Sequence, residues 1–311
     1  MVGTVTISIE IELGWGMHDL ETFSHLSRDR AAEERVLSDL LQACRRNGIQ
    51  VTFDVVGHLL EESCDGVHPG PYPTGWWKND PGTSRREHPL FYAPDLVEKI
   101  RSDSIDHEIC THTYSHVLAD EVSDKTLNRD LTAARAAHEE QGLPSPESIV
   151  MPRHREVDYS ILSDHGIDVI RTPIKKYNPE IKNPFQKYWW IATRNHPPCE
   201  IRLSQGLLET TCTPHPSLSS TILPSGQRRP SPYFRLLPRP VRERLHRRYL
   251  RDAIGLAAEE DEHVHLWTHL HNIANDSQWR AIKPTLDDLG RCQEQGDAEI
   301  LRMCDLREVV E

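Results

Sequence analysis

The chain opens on "TVTISIEI" (4–11), where β-branched and apolar residues alternate with small polar and acidic ones, the period-two pattern of a strand. Over 28–47 the apolar positions recur at helical spacing and stop at Asn47-Gly48, which predicts a helix with a glycine terminus. "IQVTFDVVG" (49–57) reads as a second strand, and a polar helix near 93–101 precedes a short third strand at "DHEIC". Ser123 is placed to cap a helix that runs to about Gln141 and ends at Gly142. "SIVMP" (148–152) predicts a fourth strand, a helix follows to about residue 165, and "IDVIRTP" predicts a fifth strand. Strand and helix alternate from 4 to 173, which argues for right-handed βα units around a mostly parallel sheet or barrel.

Two stretches break this rhythm. Residues 62–92 are dense in Pro, Gly and aromatics, and a long structureless loop inside a domain is usually functional, so it is expected to lie over the mouth of a site. Residues 174–240 are Pro-rich, contain "KYWW", and are expected to be irregular. A basic amphipathic helix near 239–258, a strand at "HVHLWTH" (263–269), a helix at about 276–295 and a strand at "AEILRM" (298–303) complete the pattern, with no internal repeat.

The 311 residues carry a net charge of −12, with 28 Arg against 8 Lys. An acidic surface repels nucleic acid and anionic membrane, so neither is expected as a partner, and the run "RERLHRRYLR" reads as a solvated helix face. Abundant acid with scarce Lys resembles the surface of a salt-adapted, halophilic cytoplasmic protein. If so, mutual repulsion of carboxylates should weaken the fold in dilute buffer, and the melting temperature should rise substantially between low and molar KCl. A flat response would assign the charge balance another cause. No apolar run approaches the roughly 18–20 residues that span a bilayer. The N-terminus lacks a basic n-region and is interrupted by Glu10 and Glu12, a poor signal peptide. Seven scattered Cys, without a CxxC pair, suggest reduced thiols and a cytoplasmic setting.

Four polar clusters fall at carboxyl ends of predicted strands, where sites form in parallel α/β sheets. Glu10 and Glu12, two apart on one strand, share a face, and two buried carboxylates are costly unless paired or bound to a cation. His112 and His116 in "EICTHTYSH" are four apart, neighbours if the segment turns as a helix, and neutral imidazoles are zinc ligands. "MPRHREV" (151–157) places Arg153 after strand four, and "LWTHLHN" (266–272) places His269 and His271 after another strand.

With these segments in order, the chain resembles the polysaccharide deacetylase family, also called NodB-homology or carbohydrate esterase family 4. "HEICTHTYSH" is similar to its second motif, "ISIEIELGWG" to its acidic first, "MPRHREV" to its third and "LWTHLHN" to its last, while "VTFDVVGHLL" and "LFYAPDLVEKI" match the scaffold between them. The resemblance implies a distorted (β/α) barrel of seven strands, one catalytic domain over 1–311 with insertions at about 62–92 and 174–240. It implies a divalent metal, Zn²⁺ by preference, on Glu12, His112 and His116. Glu10 would be general base, His269 general acid, and Arg153 would orient Glu10. The substrate would be an acetylated sugar or glycan, with Trp76, Trp77, Trp267 and His271 as candidate substrate contacts. The first motif departs from the family by having Glu-x-Glu where an aspartate is common, and Leu270 replaces a common Pro. Two other readings stay open: a C–N hydrolase acting on a small cyclic amide or amidine, and a sugar-binding relative that lost its base. The sequence names neither the glycan nor an oligomeric state.

Overall fold

A computed structural model describes residues 2–20, 22–175, 186, 189, 190 and 193–310. Its elements run β1 (Gly3–Ile11), α1 (Ala31–Asn47), β2 (Thr52–Val55), α2 (Pro94–Arg101), β3 (Glu108–Thr111), α3 (Asp124–Glu140), β4 (Ser148–Val150), α4 (Tyr159–Asp164), β5 (Val169–Pro173), β6 (Ile201–Ser204), β7 (Leu207–Cys212), α5 (Arg239–Glu260), β8 (His263–His269), α6 (Leu270–Ile273), α7 (Asp276–Gln295), β9 (Ala298–Ile300) and α8 (Arg307–Val310). The expected signals operate locally. Gly48 ends α1 with φ +65°, a conformation that costs glycine little, and Ser123 Oγ accepts from the Thr126 amide at the start of α3.

Seven strands stand side by side in the order β7-β5-β4-β3-β2-β1-β8, every neighbouring pair parallel. β6 flanks β7 in antiparallel pairing, and β9 adds to the start of β1. The two ends of the parallel row come together through side chains: Thr210 Oγ1 of β7 lies 3.0 Å from ring nitrogens of both His263 and His265 of β8. The expected parallel α/β architecture is therefore present.

The β6–β7 hairpin corrects the expectation that 174–240 is irregular throughout. Gln205 (φ +50°) and Gly206 (φ +90°) form a two-residue turn whose positive φ values match the twist of the flanking strands. The "KYWW" part of that stretch lies mostly outside the described residues.

The alternation in β1 has an unusual meaning. Val5, Ile7, Ile9 and Ile11 join the main core with Leu37, Leu40, Ala253, Leu286 and their neighbours, on the helix-covered face. The polar residues point to the enclosed side: Thr4 Oγ1 meets His263 at 2.8 Å and Ser8 Oγ meets His265 at 2.9 Å. All of β1 is buried, so its polar face is the lining of the strand array and not a wetted surface. α5 buries Tyr249, Leu250, Ala253, Ile254 and Ala257, leaving Arg244, Arg247, Arg248 and Arg251 exposed, as a solvated basic face should be.

Candidate active site

Strand register assembles the acid–base groups. Glu10 of β1 sits opposite Asp54 of β2 on one side and His269 of β8 on the other. Glu10 Oε2 is 3.0 Å from His269 Nε2. Its other oxygen, Oε1, accepts a hydrogen bond from Arg171 Nη2. Arg171 comes from β5, separated from β1 by three strands, and crosses the enclosed side of the sheet. Its Nη1 donates to Ser8 Oγ at 2.5 Å and lies 3.4 Å from Asp54 Oδ2, while its guanidinium stacks 4.5 Å over Trp267. Arg171 is fully buried, and a buried cation of this kind survives only when neutralised.

The histidine pair is held differently from the expected helical turn. Residues 112–116 form an irregular bend after β3, with Thr113 (φ +62°) and His116 (φ +60°) in the left-handed region that non-glycine residues avoid. Buried Asp130 of α3 fastens the bend: its carboxylate accepts from the Tyr114 amide at 2.7 Å, the Ser115 amide at 3.2 Å and Ser115 Oγ at 2.5 Å. The outcome is that His112 Nε2 and His116 Nε2 lie 3.1 and 3.2 Å from the same atom, Glu12 Oε1. Gly16 makes room for that carboxylate, because a Cβ there would stand 2.1 Å from Glu12 Oε2.

Electrostatics separate the roles. Burial would raise the Glu10 carboxyl, but the charges of His269 and Arg171 outweigh it and hold the group well below the usual carboxylate range. Burial likewise opposes ionisation of Glu12, and His269, His112 and His116 reverse it. For His269, burial favours the neutral ring, yet Glu10 and Glu12 push its pKa up to about 9, so it carries its proton at neutral pH. Asp54, driven first by burial and then by Glu10, rises to about 6 despite Arg171.

Glu10, Glu12, His116, Trp267, His269 and His271 line one cavity of about 350 Å³, at the small end of the roughly 300–1,000 Å³ common for ligand pockets. Arg153 also reaches this cavity but not Glu10. Its backbone is left-handed (φ +51°), and its guanidinium pairs with Asp19 at 2.6 Å. The expectation that Arg153 orients Glu10 is thus corrected: Arg171 occupies that place. Trp76 and Trp77 do not line the cavity. Trp76 Nε1 donates to Ser115 Oγ at 3.1 Å, behind the histidine bend, and Trp77 packs into the core beside Trp15 and stacks on His68. Loop 62–92 therefore backs the site, and of the three tryptophans Trp267 alone lines the pocket, with its side chain almost entirely buried. His25, His154 and Arg228 line it as well and carried no sequence signal.

Residues 22–170 match the family model "Polysaccharide deacetylase". Over that stretch, just under half of the chain, the sequence carries the polysaccharide deacetylase pattern. None of the curated proteins matches it in sequence. Among solved structures, it superposes on a Mycobacterium smegmatis protein assigned to the polysaccharide deacetylases, with TM-score 0.62 and 15% identity over 99% of this chain and 90% of the other. A Pseudomonas aeruginosa PAO1 protein with the same assignment gives TM-score 0.59 and 12% identity over 97% and 89%. Puue allantoinase gives 0.57 and 12% over 97% and 88%. At such identities these superpositions establish the fold. The matched span holds His112 and His116, whereas Glu10, Glu12, Arg171 and His269 lie outside it and are brought to them by β1, β5 and β8.

The donors present fit a divalent cation. Two imidazoles and one carboxylate, all buried, converge with their ligand atoms within 4.8 Å of one another, the His₂-carboxylate set of open catalytic zinc sites.

Proposed function

We propose that this protein belongs to the polysaccharide deacetylase family and removes acetyl groups from N-acetylated sugars, with O-acetylated sugars as the related alternative, and that it does so with a divalent metal, Zn²⁺ by preference. Glu12, His112 and His116 would hold the ion. When bound, it supplies a polarised water and positive charge where the carbonyl oxygen becomes anionic. The observation that carries the proposal is that a base and an acid of opposite protonation face this donor set across one cavity: His269 Nε2 is 3.0 Å from Glu10 Oε2 and 3.6 Å from Glu12 Oε1.

Arg171 occupies Glu10 Oε1, while Oε2 pairs with His269 Nε2 at 3.0 Å; once substrate and water part that pair, Oε2 would accept the proton of the attacking water. His269 Nε2 carries the proton that the departing amine nitrogen needs as the acetyl C–N bond breaks. The Asn272 side-chain amide, 3.1 Å from His269 Nδ1, steadies the ring. Trp267 forms part of the cavity wall, with Arg171 packed on its ring.

A second reading, hydrolysis of a small cyclic amide, is favoured by the modest cavity volume. The discriminating experiment incubates metal-loaded protein with N-acetylated chito-oligosaccharides, a nucleotide-linked N-acetyl sugar, an O-acetylated sugar and allantoin. Acetate release from an N-acetylated sugar is the expected result. Turnover of allantoin with every sugar left intact would replace the proposal with the second reading.

A further inference from the structure

A second cluster of metal-ligating side chains lies outside the cavity, at the root of loop 62–92. His58 follows β2, and Cys64, His68 and Asp80 come from the loop. Their ligand atoms all lie within 4.8 Å of one another. Asp80 Oδ2 is 2.5 Å from His68 Nε2, 3.1 Å from Cys64 Sγ and 3.7 Å from His58 Nε2, and Cys64 Sγ is 3.7 Å from His68 Nε2. A tetrahedron with zinc–nitrogen and zinc–oxygen arms near 2.0–2.1 Å and a zinc–sulfur arm near 2.3 Å has edges of about 3.3–3.7 Å. Three of the four measured separations are already close to this, and the short Asp80–His68 contact would open as an ion entered between them.

A plain hydrogen-bonded cluster leaves one feature unexplained. His58 is fully buried, yet its Nε2 has no hydrogen-bond partner among the described residues and faces Asp80 Oδ2 across 3.7 Å. A buried polar nitrogen normally finds a partner, and a lone pair aimed at a carboxylate oxygen is in want of a cation between them. The Gly66 amide also points at Cys64 Sγ at 3.3 Å. Beyond the donors, Asp80 Oδ1 accepts from Tyr92 OH at 2.8 Å and from the Gly82 amide at 3.1 Å, and His68 stacks on Trp77 with centroids 3.8 Å apart. Such outer contacts fix the orientation of ligands.

We propose that His58, Cys64, His68 and Asp80 form a structural zinc site that staples loop 62–92 to the carboxyl end of β2. One thiolate, two imidazoles and one carboxylate suit Zn²⁺ better than a hard cation, and four protein ligands close the coordination shell. The staple has a route to the catalytic groups: His58 packs on Trp15 with centroids 4.4 Å apart, and the Trp15 amide donates to the Glu12 carbonyl at 2.9 Å. A bound ion would thereby hold the loop and the turn that follows Glu12.

Cobalt substitution tests this without reference to activity, because Glu12, His112 and His116 include no sulfur. Protein loaded with Co²⁺ should show thiolate-to-cobalt charge-transfer absorption in the near ultraviolet. The band should survive in the His112→Ala/His116→Ala variant, where it should saturate at one ion per chain against two ions bound per chain in the wild type, and it should disappear in Cys64→Ser. Stripping the metal should speed tryptic cleavage at Arg85 and Arg86 severalfold. No charge-transfer band in the wild type, or a band that persists in Cys64→Ser, would overturn the proposal. If Cys64→Ser does not fold, the band and stoichiometry of the wild type and of His112→Ala/His116→Ala decide alone.

Discussion

Glu10→Gln should keep the fold and the bound metal but release acetate about 10²–10⁴-fold more slowly, the usual effect of removing a general base. The amide preserves shape and can still touch Arg171, yet it cannot accept the proton of the attacking water at the position of Oε2. Metal content measured beside the rate separates loss of the base from loss of the site: equal metal with collapsed kcat is the expected pair of results. Glu10→Asp asks a finer question. It withdraws the carboxylate by one methylene, more than an ångström, from His269 and Arg171, both of which contact the longer side chain. Misplacement of about 1 Å can cost ~10²-fold. Activity should therefore fall in Glu10→Asp, and a rise would mean that the site is a decayed one built for aspartate. Undiminished turnover in Glu10→Gln would remove Glu10 from the mechanism.

Arg171→Met should be the most damaging single change to stability. It removes the cation set against two buried carboxylates, Glu10 and Asp54. Breaking a buried pair by deleting one partner costs about 3–5 kcal/mol. For a chain of this size that corresponds to a fall in melting temperature of roughly 5–8 °C. The pH dependence has a defined sign. In the wild type the Glu10 carboxyl is held below its ordinary value, so its contribution to stability is present above about pH 4.5 and is lost as pH falls. Without Arg171 both carboxyls titrate upward, and Asp54, already pushed up by burial, then costs more stability as it ionises, so the variant gains less than the wild type as pH rises. The gap in melting temperature between wild type and variant should be wide at pH 8 and narrow at pH 5. An equal gap at both would show that lost packing on Trp267, and not charge, is responsible. Arg171→Lys should recover part of the stability but less of the activity, since a single ammonium cannot serve Ser8, Glu10 and Asp54 at once.

Arg171 also marks where the sequence stops being informative. Seven strands were legible because each is a short apolar run bounded by turn residues, whereas β6 and β7 were missed inside a Pro-rich stretch read as irregular; the pairing of Glu10 with Glu12 was legible because a strand repeats every two residues. The contact between β5 and β1 is not local: three strands separate them, and only the curvature of the sheet brings Arg171 onto Glu10. In "IDVIRTP" the lone Arg carries no local pattern that singles it out. Arg153 misled for the complementary reason. It stands where a motif arginine is expected, but its left-handed backbone turns the side chain to Asp19. The histidine pair was found although the mechanism inferred for it, a helical turn, differs from the strained bend that Asp130 secures. Trp77 could not be separated from a sugar contact by composition, because a core tryptophan and a binding tryptophan look alike until their neighbours are known.

The central claim is that Glu12, His112 and His116 hold a metal on which deacetylation depends. The measurement that tests it most directly is acetate release from an N-acetylated chito-oligosaccharide after chelation and after return of Zn²⁺. Wild-type activity should disappear with the chelator and come back with the ion, while His112→Ala should stay inactive and should lack the ion at that site. Activity that persists through complete chelation, or that His112→Ala retains, would contradict the account.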